Sequence, residues 1–302
     1  MERISDLKEE ITLLKKKANA VILAHNYQTG DIQDIADFVG DSLELSRIAS
    51  GVSADIIIFC GVYFMAETAA ILSPGKKVVL PEISAGCPLA DMITVGELRS
   101  KKQKYPGAKV VCYVNSPAVI KAESDICCTS ANAVEVVNSL KEGEVIFIPD
   151  RNLAHYVSKH TDKKIIPPNG YCPVHNYISR EDVKIMKEKH PDAPLVVHPE
   201  CPDYVVELAD KVASTGGIIR FSKETRAKKI IVGTEEGIIY RLKKENPDKD
   251  FLLLSREMVC RDMKKITLTK VLKALKELKP VVAVNENIRI GALKAIEKMF
   301  EI

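Results

Sequence analysis

Three short stretches decide the fold: Val21-Ile22-Leu23-Ala24-His25-Asn26-Tyr27, Val110-Val111-Cys112-Tyr113-Val114-Asn115-Ser116 and Leu195-Val196-Val197-His198-Pro199-Glu200. Each is an apolar, largely β-branched run that ends abruptly in polar side chains, the pattern of a strand buried in a parallel sheet. His25, Tyr113 and His198 lie 88 and 85 residues apart, and other landmarks keep that register. Asp37 maps onto Asp125 and Asp210, Ser42 onto Ser130 and Thr215, and Gly61 onto Pro149 and Thr234. A register kept without a gap is the mark of an internal repeat.

The ends of the units repeat as well. Lys77–Leu80 leads to Cys87, Lys164–Ile166 to Cys172 and Asp250–Leu254 to Cys260, with the cysteines 85 and 88 residues apart. The helix-opening residues Thr94, Ser179 and Thr267 follow at the same spacing, the first two with Glu97 and Asp182 placed for a capping box. Ile4, Leu7, Ile11 and Leu14 mark a helix that opens the first unit. Strands alternate with helices throughout, so the expected fold is α/β: three tandem three-layer α/β/α domains, each with a four-stranded parallel sheet, in pseudo-threefold arrangement. The expected boundaries are 1–88, 89–174 and 175–302, the last including C-terminal helices. Tyr105-Pro106-Gly107 and His190-Pro191-Asp192 read as helix ends inside units rather than linkers.

Composition narrows the function. With 302 residues, 46% hydrophobic and 28% charged, and a net charge of +3, the chain has an ordinary globular make-up that points to neither nucleic acid nor a membrane surface. Met1–Asp6 lacks the apolar core of a signal peptide, and the longest charge-free run, 165–179, is broken by three prolines and a glycine. A cytoplasmic location is expected, so the eight cysteines are not read as a disulfide framework. Cys60, Cys112, Cys127 and Cys128 sit in or at the ends of apolar runs, as small hydrophobes do. Cys87, Cys172 and Cys260 sit in loops past such runs, and Cys201 is intermediate.

Ligands of open parallel sheets bind outside the carboxyl ends of the strands. There the sequence puts His25-Asn26-Tyr27, Tyr113-Val114-Asn115-Ser116 and His198-Pro199-Glu200, then Ser42, Ser130 and Thr215, then Pro149-Asp150-Arg151-Asn152 and Gly233-Thr234-Glu235-Glu236. Symmetric packing would bring these sets and the three cysteines to one centre. Ser42, Ser130 and Thr215 open helices, where N–H groups favour a carboxylate or phosphate; the plainer reading is three N-caps. His25 and His198 occupy equivalent positions, His175 follows Cys172 by three residues, and Glu200 is the candidate general base. Tyr27 and Tyr113 either donate protons or merely pack. His155, His160 and His190 read as solvated.

Neither the close pairs of a structural zinc site nor the local triplet of a ferredoxin occurs. Three distant thiolates can hold one iron–sulfur cubane and leave its fourth iron open as a Lewis acid. They also fit zinc with an open position, or an iron–sulfur redox protein without catalysis, and spacing does not choose among these.

His25-Asn26-Tyr27-Gln28, Asp34-Ile35-Ala36-Asp37, Gly40-Asp41-Ser42, Phe64-Met65-Ala66-Glu67, Gly86-Cys87-Pro88, Tyr113-Val114-Asn115-Ser116, Thr129-Ser130-Ala131-Asn132, His198-Pro199-Glu200-Cys201, Ser214-Thr215-Gly216 and Cys260-Arg261-Asp262-Met263-Lys264-Lys265 resemble the quinolinate synthase family. The resemblance runs from about residue 20 to 270. It implies a three-domain enzyme of NAD biosynthesis that condenses iminoaspartate with dihydroxyacetone phosphate, giving quinolinate, water and phosphate. It implies a [4Fe–4S] cluster on Cys87, Cys172 and Cys260, acid/base roles for Glu200 and Tyr27 with His198 beside them, and substrate contacts by His25, Ser42, Tyr113, Asn115, Ser130, His175 and Thr215. A functional link to L-aspartate oxidase follows from the same resemblance. Two positions depart from the family pattern, Ile148 before Pro149-Asp150 and Tyr171 before Cys172.

Overall fold

The computed structural model describes residues 4–302; Met1–Arg3, which begin the first expected domain, lie outside the described residues. Among the described residues twelve strands form three separate four-stranded sheets, each strand paired parallel to its neighbours in the sheet. The first contains β1 (Ala20–His25), β2 (Phe38–Gly40), β3 (Ile56–Cys60) and β4 (Lys77–Val79) in the order β2-β1-β3-β4. The second repeats that order with β5 (Lys109–Tyr113), β6 (Ile126–Cys128), β7 (Glu144–Ile148) and β8 (Lys164–Ile166) as β6-β5-β7-β8. The third does so with β9 (Leu195–Val197), β10 (Lys211–Val212), β11 (Lys229–Gly233) and β12 (Asp250–Leu253) as β10-β9-β11-β12. Each sheet has helices on both faces, so the α/β/α expectation holds three times over.

The repeat is visible in single hydrogen bonds. Ile22, Val110 and Leu195 each donate their backbone N–H to one carboxylate oxygen of Asp37, Asp125 and Asp210, at 2.8 Å in all three cases. These aspartates therefore tie the first strand of each sheet to the entry of the second. The capping boxes form at Thr94 with Glu97 and at Ser179 with Asp182, while Thr267 caps through Lys270 N–H alone.

Strand alternation explains the layering. In the third sheet Leu195, Val197 and Ile231 face one core, and Val196, Ile230 and Val232 face the other. The first two sheets share one larger core. The C-terminal helices join that core rather than the third sheet. Helix Leu268–Glu277 packs on helix Ile4–Lys17 and β3, and helix Glu286–Phe300 packs on β6 and helix Ala118–Ala122. In the opening helix Leu7 and Ile11 are buried as expected, whereas Ile4, one turn beyond the covered stretch, is exposed.

The third domain meets the first through polar groups. Asp34 accepts from Lys8, Tyr240 and Lys244, and Arg241 donates to Asn26 Oδ1 at 2.7 Å and Val39 O at 2.9 Å. Gly237 is required at this seam: a Cβ there would lie 2.5 Å from the Tyr27 carbonyl oxygen.

Candidate active site

The carboxyl ends of β1, β5 and β9 point at one central cavity, partly open to solvent and with roughly 690 Å³ of empty space, and every predicted site residue lines it. From the first domain come His25, Tyr27, Ser42 and Cys87; from the second, Tyr113, Asn115, Ser130 and Cys172; then His175, His198, Glu200, Thr215 and Cys260. His155, on helix Arg151–Ser158, and His160, just past its end, lie exposed and away from the cavity, as read from the sequence. Cys201 is fully buried, its thiol directed at the Gly233 carbonyl.

The hydroxyls at the helix starts are not the caps. Asp41 caps helix Ser42–Gly51 through Leu43 and Glu44 N–H, and Ser214 caps helix Thr215–Glu224 through Gly217 N–H. Ser42 and Thr215 are the residues after the caps, and Ser130 precedes Asn132, the N-cap position of helix Ala133–Ser139. Their side chains are therefore free of capping duty and face the cavity. The plainer N-cap alternative therefore fails in all three domains, by one residue in the first and third.

The equivalent imidazoles are fixed alike. Tyr27 N–H donates to His25 Nδ1 at 3.2 Å, and Glu200 N–H donates to His198 Nδ1 at 3.3 Å. With Nδ1 accepting, the proton of each neutral ring sits on Nε2 and is offered to the cavity. His198 Nε2 lies 3.0 Å from Ser130 Oγ. Burial pushes both rings down to about 3, so they are neutral near pH 7. Burial and the Glu200 carboxylate push the Tyr27 and Tyr113 phenols well above their ordinary value, and both keep their protons.

Glu200 is 3% exposed, with Oε2 2.9 Å from His175 Nδ1 and Oε1 3.4 Å from Asn115 Nδ2. Burial alone would raise its carboxyl, but the adjacent imidazoles and the Tyr113 hydroxyl outweigh this and hold it below the ordinary carboxylate value. The Oδ1 of Asn115 is buried without a partner, an acceptor left open on the cavity wall.

The three thiols are free and share the cavity wall. Burial raises all three, Cys260 to about 11. Backbone N–H groups of Leu89 and Ala90 point at the Cys87 sulfur, and those of Asp262 and Met263 at the Cys260 sulfur. Converging thiols supported by N–H donors suit the sulfur chemistry of an iron–sulfur cluster. His175 Nδ1 is 3.2 Å from Cys172 Sγ, and donor atoms of Cys172, His175 and Glu200 all lie within 4.8 Å of one another.

Sequence reasoning left three supporting residues without a role. The Asp150 carboxylate accepts from Leu153 N–H at 2.7 Å and Cys172 N–H at 3.1 Å. Glu235 accepts from Gly237 N–H at 2.7 Å and Cys260 N–H at 2.9 Å, and pairs with Lys264 at 2.8 Å. Thr234 lies behind Tyr27 and His175. Asp150 and Glu235 are 85 residues apart, in the register already established, so the repeat itself held the signal.

The strand ends of three α/β/α domains meet at this cavity, the position at which α/β enzymes carry their sites, and thiols, neutral imidazoles and a buried carboxylate are side chains that catalysis draws on. The family model described as Quinolinate synthetase A protein matches residues 9–301. Curated relatives named quinolinate synthase include those of Thermodesulfovibrio yellowstonii, 56% identical over 96% of this chain and 96% of the relative, and of Methanosarcina barkeri, 55% identical over 99% and 98%. A third, from a Geobacter species, is 54% identical over 98% and 97%. The chain belongs to the quinolinate synthase family, enzymes of NAD biosynthesis. Among the described residues no helix is long and apolar enough to cross a membrane.

Proposed function

We propose that this chain condenses iminoaspartate with dihydroxyacetone phosphate to quinolinate, water and phosphate, acting in the cytoplasm on a product linked to L-aspartate oxidase. The observation that supports this most is the convergence of Cys87, Cys172 and Cys260 with the polar strand-end residues on one cavity. These cysteines would hold the cluster; a [4Fe–4S] cluster on three thiolates supplies one open iron position, a Lewis acid toward oxygen or nitrogen. We take the domain boundaries as 88/89 and 174/175, shortly after the first two cysteines.

The chain's own residues do the rest. Ser42, Ser130 and Thr215 hold the carboxylates and phosphate at helix N-termini, which orients the reactants. His25 and His198 act as fixed Nε2–H donors toward developing negative charge, so His198 contributes as an electrophile rather than as a base. The open Asn115 Oδ1 accepts from the nitrogen of the amino-acid-derived partner. Glu200 takes the proton that condensation removes from carbon, and Tyr27 and Tyr113 return protons to the oxygen that leaves as water.

A second reading has its own observation: Cys172, His175 and Glu200 could hold one divalent ion. Iron, sulfide and zinc analysis of anaerobically purified protein separates the two, since zinc without sulfide rejects the cluster. Replacing Glu200 by Gln should leave the brown cluster intact and abolish quinolinate formation, and retained turnover rejects its role as the base.

A further inference from the structure

We propose that Lys264 is a positioning residue for the condensation: from the loop of the third cysteine it holds the backbone of Tyr27, as Asn152 of the second domain holds that of Glu200. Its effect on turnover, though not its geometry, rests on the condensing function.

Tyr27, Asn115 and Glu200 are equivalent positions of the repeat, 88 and 85 residues apart. The loops of Tyr27 and Glu200 are built alike. Their N–H groups go to His25 and His198 Nδ1, and the next N–H groups, of Gln28 and Cys201, go to the His25 and His198 carbonyls, each at 3.0 Å. What remains to be fixed is the carbonyl of Tyr27 and of Glu200.

The Glu200 carbonyl accepts from Asn152 Nδ2 at 2.9 Å, and that nitrogen also meets Asn176 Oδ1 at 3.1 Å. In the third unit Asn152 and Asn176 become Gly237 and Lys264. The backbone keeps the correspondence: Asn176 N–H donates to the Cys172 carbonyl at 2.9 Å, and Lys264 N–H to the Cys260 carbonyl at 3.2 Å. Gly237 lies against the Tyr27 carbonyl but has no side chain to offer it. Lys264 Nζ supplies the donor instead, 2.7 Å from the Tyr27 carbonyl oxygen. Two residue changes together thus preserve one bond.

They also change what that bond is tied to. Lys264 Nζ sits 2.8 Å from Glu235 Oε1, the atom that accepts the Cys260 N–H at 2.9 Å. A charged donor makes a stronger bond than the neutral amide at Glu200. The phenol that returns protons is thereby kept in register with one of the three thiols.

Two variants of the full chain, purified anaerobically, test this. In Lys264→Met, hydrogen exchange at the Tyr27 and Gln28 amides should rise about 10- to 100-fold, the scale of a lost bond from a charged donor, while Glu200 and Cys201 stay as in wild type. Asn152→Ala should do the reverse on a smaller scale. Per bound cluster, kcat should fall about 10- to 100-fold in Lys264→Met with KM little changed, the usual cost of losing a supporting bond at such a site. Should Lys264→Met leave no folded chain, adding Glu235→Gln removes the unpaired carboxylate and the same readings apply. Unchanged exchange at Tyr27 and Gln28, an equal rise at both loops, or wild-type kcat overturns the proposal. If the wild-type chain makes no quinolinate, the condensing function fails alone, because the exchange arm needs no turnover.

Discussion

The cysteine loops of the second and third domains differ from that of the first in how they are held. Cys172 and Cys260 have their backbone N–H groups fixed from within their own domains, by the equivalent carboxylates of Asp150 and Glu235. The first domain has Val62 at that position and cannot do the same. Its loop is held by its own backbone, with Tyr63 N–H donating to Ala85 O at 2.8 Å and Gly86 N–H to Ser84 O at 2.9 Å, and its carboxylate comes from outside: Gly86 N–H also donates to Asp262 of the third cysteine's loop at 3.3 Å, and Asp262 accepts from Lys265 at 2.7 Å. Two cysteine loops thus take their carboxylate from their own domain, and the third takes it from another cysteine's loop. The carboxylate at the Cys87 loop arrives only when the third domain is packed against the first, whereas those at Cys172 and Cys260 are present within each domain.

That contrast can be broken by substitution. Glu235→Ala should cost the most, because it leaves the Cys260 and Gly237 N–H groups without their acceptor and Lys264 with only the Tyr27 carbonyl and the more distant Glu236; about 2 kcal/mol is the scale for such a loss. Urea denaturation would read it, and iron content should fall with it. Asp262→Ala removes a longer and partly exposed interaction, so about 1 kcal/mol is expected. Its signature is kinetic as well: iron in the holoprotein should pass faster to a chelator. Equal stability losses in the two variants would erase the distinction between local and borrowed support.

The smallest effect concerns the seam between first and third domains. The Asp34 carboxyl, partly desolvated, is nonetheless held well below its ordinary value by Lys244, Tyr240 and Lys8. Its folded value is the depressed one, so its contribution is complete above the unfolded value near about pH 4 and is lost as pH falls through the acid range. Because the group is largely solvated, Asp34→Asn should cost under about 1 kcal/mol at pH 7 and flatten the acid limb of a stability–pH curve. An unchanged limb would show that this seam bears no measurable load.

Much of this was legible in the chain. Periodicity supplied the three sheets, and the register of His25, Asp37 and Ser42 with their equivalents supplied the convergence of the site. The capping alternative for Ser42 and Thr215 fails by one residue, because Asp41-Ser42 and Ser214-Thr215 each pair two residue types that cap equally well, and only backbone geometry picks one. Asp150 was readable as a simple cap, and it does cap, while its second oxygen holds Cys172. Thr234 could not be found from one sequence, since its partners lie about 60 and 200 residues away and no local pattern links them. An apolar stripe tells that a helix packs but not on what, which is why the destination of helix Leu268–Glu277 was hidden.

That helix has a consequence for how the protein is made. Its buried face completes the core against helix Ile4–Lys17 and β3, elements that leave the ribosome far earlier. The opening domain must therefore wait, with apolar surface uncovered, until the chain beyond residue 268 has emerged. Synthesis order and folding order part company here: a segment translated early is among the last to be sealed.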